Sequence, residues 1–175
     1  MDYFELIKTR QSVRKFKDTP VPVELLRNCV EAARIAPSAC NGQPWRFVIV
    51  TGEDSVKKVR EAVTDKGMNK FTENCPAFIA VIEGKTVLTA KVGGLYLKTD
   101  FPQIDIGLAT MQLVLAAETQ GLSTCIMGWV KSKTVEDLLD LKSGEKLRLV
   151  VAVGYGDAPQ RDKKRKSFGE ICTEI

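Results

Sequence analysis

Two stretches of this chain carry residues whose types and spacing could do chemistry. The first is Arg10-Gln11-Ser12-Val13-Arg14. In an extended segment, residues two apart point the same way, so Arg10, Ser12 and Arg14 converge on one anion with two guanidinium forks and a hydroxyl. A solvated basic turn has the same composition. The second is Ala36-Pro37-Ser38-Ala39-Cys40-Asn41-Gly42-Gln43-Pro44-Trp45. Its two prolines end regular structure, and each biases the preceding residue away from helix. Small side chains let a ligand approach the backbone, and the Asn and Gln amides both donate and accept. With no charge in the loop, it suits a flat, polar-edged heterocycle better than a metal or a phosphate. The plain alternative is a helix end and a turn before a strand.

The sequence contains no histidine. That excludes a Ser-His-Asp or Cys-His relay and any His-ligated zinc, so an enzyme built on this chain leaves the hard chemistry to a cofactor. The cysteines at 29, 40, 75, 125 and 172 are odd in number and form no C-x-x-C pair. They read as reduced, mostly buried thiols of a cytoplasmic protein, with Cys40 set apart by its place in the loop. The 175 residues, 44% hydrophobic and 27% charged, are read as a single soluble domain over 1–175 with a sizeable core. A net charge of +4 permits an anionic ligand without indicating nucleic acid.

The elements that must hold these stretches follow from periodicity. Asp2 caps a short helix through Lys8. Val23 to Ala36 is amphipathic, with Leu26, Val30 and Ala33 on one stripe and charged residues opposite. Trp45 to Val50 reads as a strand and Glu53 to Asp65 as a surface helix. Residues 69–76 read as irregular. Ala77 to Ile82 is apolar without alternation, the pattern of a strand buried on both faces. Residues 83–103 read as a loop or lid with short helical turns. Asp105 is expected to cap a helix over Ile106 to Gln120, apolar nearly all round to Ala117 and about half a membrane span in length. Leu122 to Trp129 is a strand, Lys133 to Leu141 a helix and Leu147 to Val153 a central strand. The tail carries Arg161-Asp162-Lys163-Lys164-Arg165-Lys166. It reads as a solvated tail, a targeting or nucleic-acid patch, or the second half of an anion site begun by Arg10. No Walker loop or strand-linked G-x-G-x-x-G is present.

In this order and spacing, R-x-S-x-R at Arg10 to Arg14, A-P-S-A-x-N-x-Q-P-W at Ala36 to Trp45, Asp105-Ile106-Gly107, Ile126-Met127-Gly128-Trp129 and K-x-R at Lys163 to Arg165 resemble the nitroreductase family of FMN-dependent oxidoreductases over nearly the whole chain. The resemblance implies an α+β sandwich, with a central, mostly antiparallel sheet flanked by helices, that forms a homodimer with two FMN sites built from both subunits. It implies that Arg10, Gln11 (through its backbone), Ser12 and Arg14 hold the phosphate and ribityl chain, with Lys163 and Arg165 across from them. Pro37, Ser38, Ala39 and Asn41 would line the isoalloxazine ring, with Met127 and Gly128 near its other face and Asn69 as a further ring contact. Many members carry an acid where Met127 stands, and 83–103 departs from the longer members. The implied activity is ping-pong reduction of nitroaromatic, quinone-like or other conjugated acceptors by NAD(P)H, without nucleic acid or membrane. The alternatives are a non-enzymatic flavin-binding protein on the same scaffold, or a nucleic-acid binder. The latter lacks interleaved aromatics beyond Phe168.

Overall fold

A computed structural model describes residues 2–130 and 133–175. The chain opens with α1 (Tyr3–Thr9), held by a capping box in which Glu5 N–H donates to Asp2 Oδ1 at 2.9 Å and Asp2 N–H donates to Glu5 Oε2 at 3.3 Å. An extended segment leads to α2 (Val23–Arg34), then β1 (Trp45–Val50), α3 (Glu53–Val63) and β2 (Ala77–Glu83). Helices α4 (Leu88–Leu97) and α5 (Phe101–Thr119) follow, then β3 (Ser123–Met127), α6 (Lys133–Leu138), β4 (Lys146–Gly154) and the tail helix α7 (Phe168–Ile171).

The four strands form one antiparallel sheet in the order β1-β2-β4-β3. Alternate residues of the central strands feed two cores. Phe78, Ala80, Ile82, Val150 and Ala152 pack with residues of α3 and α6, among them Val56, Val59, Val63 and Val135. Ala77, Ile79, Val81, Val151 and Val153 pack with residues of α2 and α5, among them Leu26, Cys29, Ala33, Ala109 and Leu113. Covering both faces is why β2 reads as an unbroken apolar run, and the α+β sandwich expected from the sequence is the fold found.

Two expectations are corrected. Residues 83–103 hold a regular helix, α4, despite Gly93-Gly94. Gly94 is needed there because a Cβ would lie 2.7 Å from Thr99 O, where the chain turns toward α5. Helix α5 begins earlier than expected: its cap is Asp100, whose side chain accepts from Gln103 N–H at 3.2 Å. Pro102 stands in the first turn, where it lacks only an N–H that has no helical partner anyway. Asp105 is therefore not a cap but an interior residue of the helix, only 3% exposed.

The chain ends are tied together beside β3. Val13 N–H donates to Thr124 O at 2.9 Å, with Ser12 bridging Thr124 in parallel. Lys17 N–H donates to Tyr155 O and Asp157 N–H to Lys15 O, each at 2.9 Å. Gly156 permits this crossing, since a Cβ there would meet Ser123 Oγ at 2.5 Å. Among the described residues no helix is long and apolar enough to cross a membrane.

The loop before β4 is fastened to β1 by Arg46, which meets Glu145 with two hydrogen bonds of 2.9 and 2.6 Å and also donates to Leu139 O and Asp140 O. The Arg46 guanidinium, helped by Lys142 N–H, lowers Glu145 from its ordinary 4.5 to about 2. A folded-state value below the unfolded one contributes stability that is present above pH 4.5 and lost as the pH falls toward about 2. Glu145→Gln should thus lower the urea midpoint at pH 7 and leave it nearly unchanged near pH 2. An equal loss at both pH values would mean that the pair's charge contributes nothing.

Candidate functional site

The N-terminal arginines and the basic tail line one cleft. Its walls are Arg10 to Ser12 and Arg14 on one side and Arg161 to Arg165 on the other, around about 340 Å³. The tail is held there by specific bonds. Gln11 Oε1 accepts from Arg161 N–H and Nε at 3.2 Å, and Gln11 Nε2 donates to Pro159 O at 3.1 Å. Arg161 Nη2 donates to Ser12 O at 2.5 Å. Lys163 Nζ donates to Ile7 O at 2.6 Å and also to Lys8 O, so this ammonium caps the carbonyl end of α1 as well as lining the cleft. The sequence pointed to Lys163 and Arg165. Arg161, which does most of the anchoring, stands in the same basic run and was missed, as was the side-chain role of Gln11.

Six cations and a single acid, Asp162, line this cleft. Burial lowers the Lys163 pKa, and Arg10 and Arg165 lower it further, against the opposing pull of Glu118. Burial raises Glu118 in turn, opposed by a hydrogen bond from Thr9 and the charges of Arg10 and Lys163. Arg10 Nε is buried with no hydrogen-bond partner among the described residues. A buried donor without an acceptor, inside a crowd of like charges, fits a multivalent anion such as a phosphate monoester.

From the cleft the N-terminal segment runs along β3. Arg14 stands over the Phe71 ring at 5.9 Å from its centroid. Asn69, left-handed at φ 46°, donates from Nδ2 to Val63 O at 3.0 Å and lies 3.5 Å from Trp129 O. Lys66 Nζ sits 5.9 Å from the Trp129 ring centroid. Gly128 and Trp129 thus face the Lys66–Asn69 turn across the end of β3. Met127 is 3% exposed and belongs to the core on the α3 side, which leaves its backbone as the part that can meet a ligand.

The uncharged loop sits elsewhere. Cys40, Asn41 and Gln43 all hold positive φ values, of 51°, 52° and 43°, a conformation that non-glycine residues adopt only where their surroundings impose it. The bonds that impose it run from Asn41 N–H to Ser38 O (3.0 Å), Gly42 N–H to Ala39 O (2.9 Å) and Gln43 N–H to Ser38 Oγ (3.0 Å). Gln43 Nε2 donates to Asn41 Oδ1 at 3.1 Å, which leaves the NH₂ end of the Asn41 amide for other partners. The Asp105 carboxylate accepts Ala39 N–H at 3.1 and 3.2 Å, fastening the loop to α5. An acid inside an apolar helix was the available signal for this role; the sequence reading assigned it to a cap. Pro37 lies exposed at the entry to the loop. Three of the five thiols are buried, and burial pushes Cys29 up to about 11 and Cys75 to about 12, whereas Cys40 is exposed in this loop.

The two groups of site residues lie at opposite ends of α5. Asp105 marks the loop end and Glu118, beside Thr9, Arg10 and Lys163, marks the cationic end. Thirteen helical steps separate them, roughly 20 Å at 1.5 Å per step. The uncharged loop and the cationic cleft therefore do not form one continuous pocket among the described residues. Along its length α5 exposes Ile104, Leu108 and Met111.

A family model described as the nitroreductase family matches residues 7–69 and 64–155. The chain is 29% identical over 204 residues to a candidate NAD(P)H nitroreductase of Streptococcus pyogenes serotype M6, covering 98% of each. It is 30% identical over 168 residues to an iodotyrosine deiodinase of Thermotoga neapolitana, covering 90% of each. A nitroreductase family protein of Streptococcus pneumoniae TIGR4 superposes with a TM-score of 0.81 at 25% identity, covering 99% of this chain and 100% of that one.

If Arg161 clamps the tail, Arg161→Ala should raise hydrogen exchange over 10–14 and 158–166 while leaving the global unfolding free energy from urea titration within about 0.5 kcal/mol of wild type. Unchanged exchange in both segments would show that the clamp is dispensable.

Proposed function

The chain belongs to the nitroreductase family of oxidoreductases, and from that premise we propose that it is an FMN-dependent NAD(P)H oxidoreductase that works as a homodimer. The observation that carries this reading is the cleft of six cations with an orphaned Arg10 Nε, built from both chain ends. The chemistry that FMN supplies when bound is reversible two-electron transfer, with NAD(P)H as hydride donor and a nitroaromatic, quinone-like or other conjugated molecule as acceptor.

This chain's residues do the holding. Arg10, Ser12, Arg14 and Arg165 take the phosphate and adjoining chain, with Gln11 and Lys163 bracing the wall. Gly128 and Asn69, with the Met127 backbone, border the ring from the same protomer. Pro37, Ser38, Ala39 and Asn41 of the second copy close over it, their loop kept in shape by Asp105. The two halves sit at opposite ends of α5, roughly 20 Å apart, and a second copy's loop completes each site in this reading. The exposed Ile104, Leu108 and Met111 give α5 the apolar face that an obligate interface requires. No histidine is needed, because the protein's task is orientation and exclusion of water.

The family name and the relatives' names support reductive chemistry; the phosphate is tested directly. Charge-assisted hydrogen bonds are worth about 1.5–3 kcal/mol each. Replacing Arg10 and Arg165 with Ala should weaken FMN by roughly two to four orders of magnitude, at about 1.4 kcal/mol per tenfold, and leave riboflavin almost unchanged. Equal weakening of both flavins in equilibrium titrations would remove these residues from a phosphate site. One cleft serving donor and acceptor in turn also gives parallel double-reciprocal plots. Intersecting lines would mean that both bind together.

A further inference from the structure

Helix α4 and the start of α5 enclose a second cleft, of about 480 Å³, lined by Thr86, Ala90, Lys91, Leu95, Lys98 and Pro102 among others. It abuts the uncharged loop: a Cβ on Gly42 would lie 2.7 Å from Thr86 Oγ1 and 3.4 Å from Val87. Thr86 Oγ1 is buried and has no hydrogen-bond partner among the described residues. From Gly84 to Thr99 the chain carries Lys85, Lys91 and Lys98 and no acid. Lys91 and Lys98 are exposed, and neither is ion-paired with a described residue. Asp100 also borders the cleft, but its carboxylate accepts from the backbone and the side-chain amide of Gln103.

We propose that this cleft is the acceptor's subsite and that it selects a ring compound bearing a simple acidic group. Lys91 and Lys98 meet the acid, Thr86 offers its hydroxyl, and Ala90, Leu95 and Pro102 take the apolar ring. The volume suits a molecule of one or two rings. An amino-acid zwitterion is disfavoured, since its ammonium would sit beside two lysines with the one carboxylate already bonded. This deepens the oxidoreductase reading and rests on it for the word acceptor. A phosphate of the nicotinamide donor is the competing anion, and the test below separates the two.

The probes are 4-nitrobenzoate, 4-nitrobenzamide, 3-iodotyrosine, NAD⁺ and NADP⁺, titrated calorimetrically into the oxidised, flavin-loaded protein and its Lys91→Gln/Lys98→Gln variant. Wild type should bind the benzoate about tenfold more tightly than the isosteric amide and than 3-iodotyrosine, and added salt should reduce that preference. The double variant, with an unchanged melting temperature, should lose the preference and keep the amide within about twofold. Thr86→Val should weaken the benzoate without changing its salt dependence. The proposal is overturned if wild type binds benzoate and amide alike, if 3-iodotyrosine is preferred, or if the variant loses NADP⁺ while keeping the benzoate. Failure of the oxidoreductase reading shows separately, as no uptake of FMN or no bleaching by either nicotinamide. The benzoate–amide comparison on the protein as purified still decides whether the cleft takes an acid.

Discussion

The rigidity of α5 governs this molecule. Its nineteen residues pack on the sheet through Ile106, Ala109, Leu113, Val114 and Ala117, and a helix so held cannot shorten. At one end the buried Asp105 carboxylate fixes the shape of the uncharged loop. At the other, Glu118 lies among Thr9, Arg10 and Lys163 beneath the cationic cleft. The helix therefore holds the uncharged loop and the cationic cleft at opposite ends. In the proposed dimer, a second copy seated on the apolar residues that α5 leaves exposed brings its loop to that cleft.

Electrostatics explain why the cradle needs so much scaffolding. Cations gathered around about 340 Å³ repel one another, and among the described residues Asp162 and the neighbouring Glu118 offset them. Surface ion pairs contribute too little to hold such a cluster. The chain uses backbone bonds instead: Lys163 on the last carbonyls of α1, Arg161 on Ser12 O, and the strand-like pairing of Lys15 and Lys17 with Tyr155 and Asp157. The proposed dianion would relieve the repulsion that these bonds otherwise resist.

Much of this was legible in the residue order. Alternation at Arg10, Ser12 and Arg14 and the unbroken apolar run of β2 each point to an arrangement that the fold has: the three residues line one cleft, and both faces of β2 are covered. What was not legible depended on long-range contact. Gly93-Gly94 reads as a breaker until Thr99 O is seen to need the room at Gly94. Asp105 has the composition of a cap, and only the approach of Ala39 N–H shows its use. Arg161 is one cation among several until Gln11 and Ser12 are placed beside it. Met127 matched a ring-side position by order, yet burial turns its side chain into the core.

The most direct measurement of the central claim is a mixed-dimer titration. One subunit carries Arg10→Ala and Arg165→Ala in the cradle; the other carries Ala39→Phe in the loop. Each variant alone should bind no FMN at micromolar concentration. The mixed dimer, purified through two different tags, holds one site with both halves intact and one with both damaged, and should bind half an equivalent per subunit with wild-type affinity. Failure to recover any FMN binding in a mixed dimer of confirmed composition would place both halves of the site within a single protomer and contradict the account.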